Sequence, residues 1–131
     1  MPRYLLCQTA FLLACAPAWA QAPRLHSVMF SPRSIALDSS AESQLQRFAI
    51  DIGERRVLIR GYADRSEGTN GQALDLSRDR AAVVYEHLQA YGVRLDQMTV
   101  EASGFSAEGT EPVEVDSHNR RVDVIAYAPS R

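Results

Sequence analysis

Two charged residues stand where their surroundings are apolar. Asp64 follows residues 56–62, a segment rich in β-formers (Val57, Leu58, Ile59, Tyr62), and comes just before a stretch of Ser, Gly, Thr and Asn. Arg80 lies four residues after Leu76 and four before Val84, and helical spacing puts it on the same stripe as those side chains. A guanidinium bordering a core needs a partner, because leaving it desolvated and unpaired is costly. In one arrangement the charge is dealt with internally, by a salt bridge to Asp64 or by an Arg stem that carries its head out to water. In the other, both side chains face a shared pocket. There a ligand with an ammonium and a carboxylate would place the ammonium on Asp64 and the carboxylate, bidentately, on Arg80.

Other chemistries find little support. Gly104-Phe105-Ser106-Ala107-Glu108-Gly109 lacks the spacing of a nucleophile elbow. All 14 basic residues are Arg, so the lysine of a phosphate-binding loop is missing. His26, His87 and His118 are scattered, and Cys7 and Cys15, the two cysteines, stand near the N-terminus, so neither a metal site nor a cofactor is expected. Asp64 with Glu67 would be a conceivable glycosidase pair. However, both sit in one short loop with nothing to raise one pKa, and the chain reads as a non-enzyme. A net charge of −2 offers no basic field for nucleic acid or anionic lipid. With 131 residues, 46% hydrophobic and 23% charged, the chain holds enough apolar material for one domain with one modest core.

Residues 1–20 read as a secretory signal outside the fold. Arg3 starts it, an apolar run follows, and Ala18-Trp19-Ala20 provides a small-x-small cleavage site. The run is short for a membrane span, which needs about 20 apolar residues. Cleavage would remove Arg3 and no acid, taking the net charge from −2 to −3. Leu12-Leu13-Ala14-Cys15 supports a competing reading as a lipobox, with Cys15 lipidated and the chain tethered to a membrane. Both cysteines fall in this segment, so the remaining domain has no disulfide and relies on packing.

The elements that must position Asp64 and Arg80 follow from periodicity. Residues 21–27 read as a linker and 28–128 as the domain. Val28-Met29-Phe30 suggests an edge strand, and residues 31–40 a loop. Ser39-Ser40-Ala41-Glu42 opens a helix with Leu45, Phe48, Ala49 and Ile52 on one side and Gly53 as its stop. Residues 56–62 predict a central strand. Thr69 and Gln72 suit a capping box for a second helix that runs to about Tyr91, with Leu76, Val83, Val84, Leu88 and Tyr91 as its stripe. Residues 99–103 and 121–127 supply two more strands. The order β-α-β-α-β-β predicts an α+β two-layer sandwich, two helices on one face of a small mixed four-stranded sheet.

Set in order, Gly61-Tyr62-Ala63-Asp64, Leu76-Ser77-Arg78-Asp79-Arg80-Ala81, Gly92-Val93, Gly104-Phe105 and Asn119-Arg120-Arg121-Val122 resemble the motifs of the OmpA-like peptidoglycan-binding domain. Each piece is weak alone, but together they span nearly the whole chain after residue 27. The resemblance implies the same sandwich and a ligand, the diaminopimelate of the peptidoglycan stem peptide, whose side-chain end is a zwitterion. It implies that Asp64 meets the ammonium, that Arg80 grips the carboxylate, and that Asn119 and Arg120 line the site. It also implies a place in the periplasm or at the outer membrane, with peptidoglycan and envelope proteins as partners. The chain departs from the family's pattern in three places. Gln72-Ala73 stands where the family has Tyr-Asn, the loop between Asp64 and Leu76 is one residue longer, and the loop between Gly104 and Asn119 has an irregular length of its own. The Gln72-Ala73 departure motivates an alternative reading, a protein-interaction or envelope-assembly module that keeps the fold without binding the wall.

Overall fold

The structure, a computed structural model, describes residues 22–105 and 119–128. The segment with the expected signal and Cys15 lies outside them, as does most of the loop expected between Gly104 and Asn119. The described elements are β1 (Arg24–Met29), α1 (Ser39–Ile52), β2 (Val57–Ala63), α2 (Asn70–Ala90), β3 (Met98–Phe105) and β4 (Arg121–Ala126). Single 3-10 turns span Arg65–Glu67 and Leu95–Gln97. The sheet order is β1-β4-β2-β3. β4 runs antiparallel to β1 and β2, while β2 and β3 are parallel, joined through α2 as a parallel pair requires. This is the expected mixed sheet with two helices.

Alternation along the strands decides which face the helices cover. Val57 and Ile59 of β2 and Val122, Val124 and Ala126 of β4 point into a core completed by Leu45, Ala49 and Ile52 of α1 and Ala81, Val84 and Leu88 of α2. β2 also buries Leu58, which gives the near-continuous apolar run of an interior strand. α1 starts one residue earlier than the Ser pair suggested. Asp38 is its cap, with Oδ1 accepting from the Ala41 N–H at 2.7 Å. At α2 the expected capping box forms. Gln72 Oε1 accepts from the Thr69 N–H at 2.9 Å, and Thr69 Oγ1 accepts from the Gln72 N–H at 3.3 Å.

β1 begins at Arg24, inside the stretch expected to be a linker, and pairs with β4 from Arg24↔Ala126 to Met29↔Arg121. Of its six residues only Val28 is buried, so the apolar pattern is too sparse to mark the strand. The backbone ladder makes it, helped by Ser27 donating to Asp123 at 2.8 Å and His26 stacking on Phe48 at 5.2 Å.

Candidate functional site

The site is built where α2 presses on β2. A Cβ at Gly61 would sit 2.0 Å from the Ser77 carbonyl oxygen and 3.2 Å from the Ala81 methyl, so only glycine permits this approach. Ser77 ties the helix to the next strand as well: its hydroxyl donates to the Leu74 carbonyl at 2.8 Å and accepts from the Gly104 N–H at 3.0 Å. The buried face of α2 is therefore Ala73, Ser77, Arg80, Ala81, Val84 and Leu88, while Leu76 and Val83, expected in the stripe, are half-buried. Three residues after Ser77 on that face, Arg80 falls over the C-terminal end of β2.

Arg80 is fully buried, and every N–H of its guanidinium is used. Nε donates to the Ser34 carbonyl at 2.9 Å. Nη1 donates to the Tyr62 carbonyl at 3.2 Å and to Glu67 Oε1 at 2.8 Å. Nη2 donates to the Ser31 carbonyl at 3.2 Å and to Glu67 Oε2 at 2.5 Å. The Phe30 ring centroid lies 5.3 Å from the guanidinium carbon. The partner of Arg80 is thus Glu67, not Asp64, in a fork-on-fork pair. Glu67 also accepts from two backbone N–H groups, Asp64 at 2.8 Å and Arg33 at 2.7 Å. Burial pushes the Glu67 carboxyl up, but the bonds from Arg80 and from these two amides outweigh it and hold the group below its usual range.

Asp64, also buried, caps the turn Arg65–Glu67. Its Oδ2 accepts from the Ser66 hydroxyl at 2.8 Å and its Oδ1 from the Ser66 N–H at 3.4 Å. Arg120 Nη1 stands 3.6 Å from Oδ2, and its Nε donates to the Phe30 carbonyl at 3.3 Å. Asn119 makes a different contact: its Oδ1 accepts from Arg121 Nη1 at 3.0 Å, and Arg121 lies over the Tyr62 ring at 4.3 Å.

Of the residues singled out from sequence, the structure therefore brings Asp64, Arg80 and Arg120 to one corner, and Asn119 bonds the neighbouring arginine. Sequence reasoning missed Glu67 as the partner of Arg80, along with the loop carbonyls of Ser31 and Ser34. A signal for Glu67 was present, since an Asp followed three residues later by Glu is the pattern of a capping box. Two acids and two arginines balance each other in this corner. The arrangement also argues against Glu67 as a proton-donating acid, which would need a raised pKa rather than a lowered one. Among the described residues no cluster of His, Cys, Asp and Glu could hold a metal, and no helix is long and apolar enough to cross a membrane.

Comparison with known proteins gives consistent results. The family model described as the OmpA family matches residues 29–123. Outer membrane protein 40 of Porphyromonas gingivalis is 31% identical over 83 residues, 62% of this chain; the chain spans 22% of that relative's length. Among solved structures, the peptidoglycan-associated lipoprotein of Burkholderia pseudomallei is 29% identical with a TM-score of 0.66, covering 76% of this chain and 87% of that one. The OmpA-like domain of FopA1 from Francisella tularensis superposes with a TM-score of 0.71 at 18% identity, over 83% of this chain and 75% of that one. At that identity it shows the fold alone.

Proposed function

The chain belongs to the OmpA family, and from that premise we propose that it is a non-catalytic module that binds peptidoglycan through the diaminopimelate of the stem peptide, anchoring an envelope component to the wall. The observation that carries the reading is the convergence of Asp64, Arg80 and Arg120 at the C-terminal end of β2. A buried carboxylate beside a buried guanidinium suits a small zwitterion: Asp64 takes the ammonium, Arg80 the carboxylate, and Arg120 with Asn119 lines the approach. The similarity to a peptidoglycan-associated lipoprotein supports it. Residues 1–20 act as the export signal and deliver the domain to the periplasm; in the competing lipobox reading, cleavage falls before Cys15 and lipid on that residue holds the domain at a membrane surface.

The test is co-sedimentation with purified diaminopimelate-type sacculi. Asp64→Asn serves as the control, because the amide keeps the size of the side chain and can still accept from Ser66. The wild type is expected to pellet. Losing a charge-assisted bond of about 1.5–3 kcal/mol should weaken the variant about 10- to 150-fold while it remains folded. Equal pelleting of the two proteins would overturn the assignment of Asp64. A second reading, an envelope protein-interaction module without wall binding, is favoured by one observation: all five donors of Arg80 already have partners. It predicts that neither protein pellets and that crosslinking in the envelope captures a protein partner.

A further inference from the structure

We infer that Glu67 occupies the carboxylate-binding face of Arg80 and must leave it before a zwitterionic ligand can engage that arginine, so that Glu67 sets the affinity of the site. This rests on the reading of Asp64 and Arg80 as a ligand-binding pair. Three of the five Arg80 donors go to the carbonyls of Ser31, Ser34 and Tyr62. Those carbonyls belong to the backbone around the site and hold the guanidinium in its plane. The other two donors form the fork on Glu67. A parallel pair of N–H···O bonds is the geometry with which arginine takes any carboxylate. A ligand carboxylate can therefore replace Glu67 like for like, with the buried positive charge compensated before and after. Displacing the backbone carbonyls instead would break up the loop and the end of β2.

The replaced side chain has somewhere to go. Glu67 ends a single 3-10 turn whose two preceding residues, Arg65 and Ser66, are exposed, and Gly68 follows it. Its carboxylate is nonetheless well held, because it also accepts from the Arg33 and Asp64 amides. Exchange gives up those two bonds unless the ligand reproduces them. The wild type is accordingly a weakened binder, and removing the Glu67 carboxylate should tighten binding.

Two measurements test this, the first independent of the wall. Glu67→Ala leaves a buried guanidinium without its counterion, so the variant should melt lower than the wild type. Sodium acetate should restore its melting temperature in a saturable way, beyond sodium chloride at equal ionic strength. Acetate should do nothing specific for the wild type or for Glu67→Ala combined with Arg80→Met. If acetate acts no differently from chloride on Glu67→Ala, the exchangeable carboxylate position does not exist and the inference falls. Should Glu67→Ala fail to fold, the isosteric Glu67→Gln carries the binding comparison, because one of the two carboxylate oxygens that accept from Arg80 is replaced by an NH2 donor.

The second measurement titrates the tripeptide L-Ala-D-Glu-meso-diaminopimelate into wild type, Glu67→Ala and Glu67→Gln. Binding at least tenfold tighter to the variants than to the wild type, lost again when Asp64→Asn is added, supports the inference. Equal or weaker binding by both variants, with the wild type binding, overturns it and leaves the wall-binding reading standing. Acetate rescue without tripeptide binding by any variant overturns the wall-binding reading but supports Glu67 as an exchangeable cover on Arg80.

Discussion

The two ends of the central strand carry similar residue types and use them in opposite ways. Beyond its C-terminal end, Arg80 and Glu67 pair with side chains 0% and 1% exposed. Beyond its N-terminal end, Arg94 lies near Glu54 at 3.7 Å and Asp96 at 3.1 Å, with side chains 57%, 89% and 75% exposed. An exposed pair in water gains about 0–1 kcal/mol, because solvent screens it and two long side chains must be held still. A buried pair has no such screening, and breaking it strands a charge. At the exposed end a neutral group does the holding. Gln97 is buried, donates to the carbonyls of Gly53 and Arg55 at 2.9 Å each, and accepts from the Arg94 N–H at 3.0 Å. At these two ends the charges matter to the structure only where α2 seals them in, and the seal begins at Gly61.

The largest effect is therefore expected from Gly61→Ala. The added methyl would meet the Ser77 carbonyl oxygen, a backbone atom, at 2.0 Å, with no flexible side chain to move aside. Overpacking usually costs about 1–3 kcal/mol. Here the loss should lie at or above the top of that range, read as a lower denaturant midpoint. A loss below about 1 kcal/mol would mean that α2 can retreat and that its contact with β2 does not position Arg80.

Acid should weaken the buried pair. The Glu67 carboxyl is lowered in the folded protein, so it binds protons less readily there than in the unfolded chain. The stability it contributes is complete above its unfolded value of about 4.5 and drains away as pH falls below that value and through the lowered folded one. Melting curves of wild type and Glu67→Gln between pH 7 and 3 should converge on acidification, with the wild type losing more. Parallel curves would show that the carboxylate contributes nothing as an ion.

Much of this contrast could be read from sequence, for reasons specific to each residue. The elements were legible because their apolar periods are intact: Leu45, Ala49 and Ile52 in α1, and Val57, Leu58 and Ile59 in β2. Asp64 and Arg80 were legible as charges set against that pattern. The partner of Arg80 was not, because pairing across a turn depends on where Glu67 is folded back. That depends in turn on Asp64 capping the turn and on the Arg33 amide arriving from a distant loop. Apolar size points to Leu76 and Val83 as the buried face of α2, whereas close packing against β2 selects Ser77 and Ala81. Gly61 inside a strand was the available clue to that close approach. The first half of β1 carries no buried apolar residue to mark it, because an edge strand held by its ladder needs little apolar surface.

The smallest effect is expected from Arg94→Ala. Its carboxylate neighbours are mostly in water, so neither is left stranded when the guanidinium goes. The backbone N–H of residue 94, which Gln97 accepts from, is untouched by the substitution. The change should lie within about 0.5 kcal/mol in denaturant unfolding at pH 7, as for most exposed sites. A loss of 2 kcal/mol or more would show that exposure is a poor guide to the worth of these pairs. The distinction between the two ends of β2 would then rest on something other than burial, namely the fork of Arg80 on Glu67 at 2.5 and 2.8 Å against the single contacts of Arg94 at 3.1 and 3.7 Å.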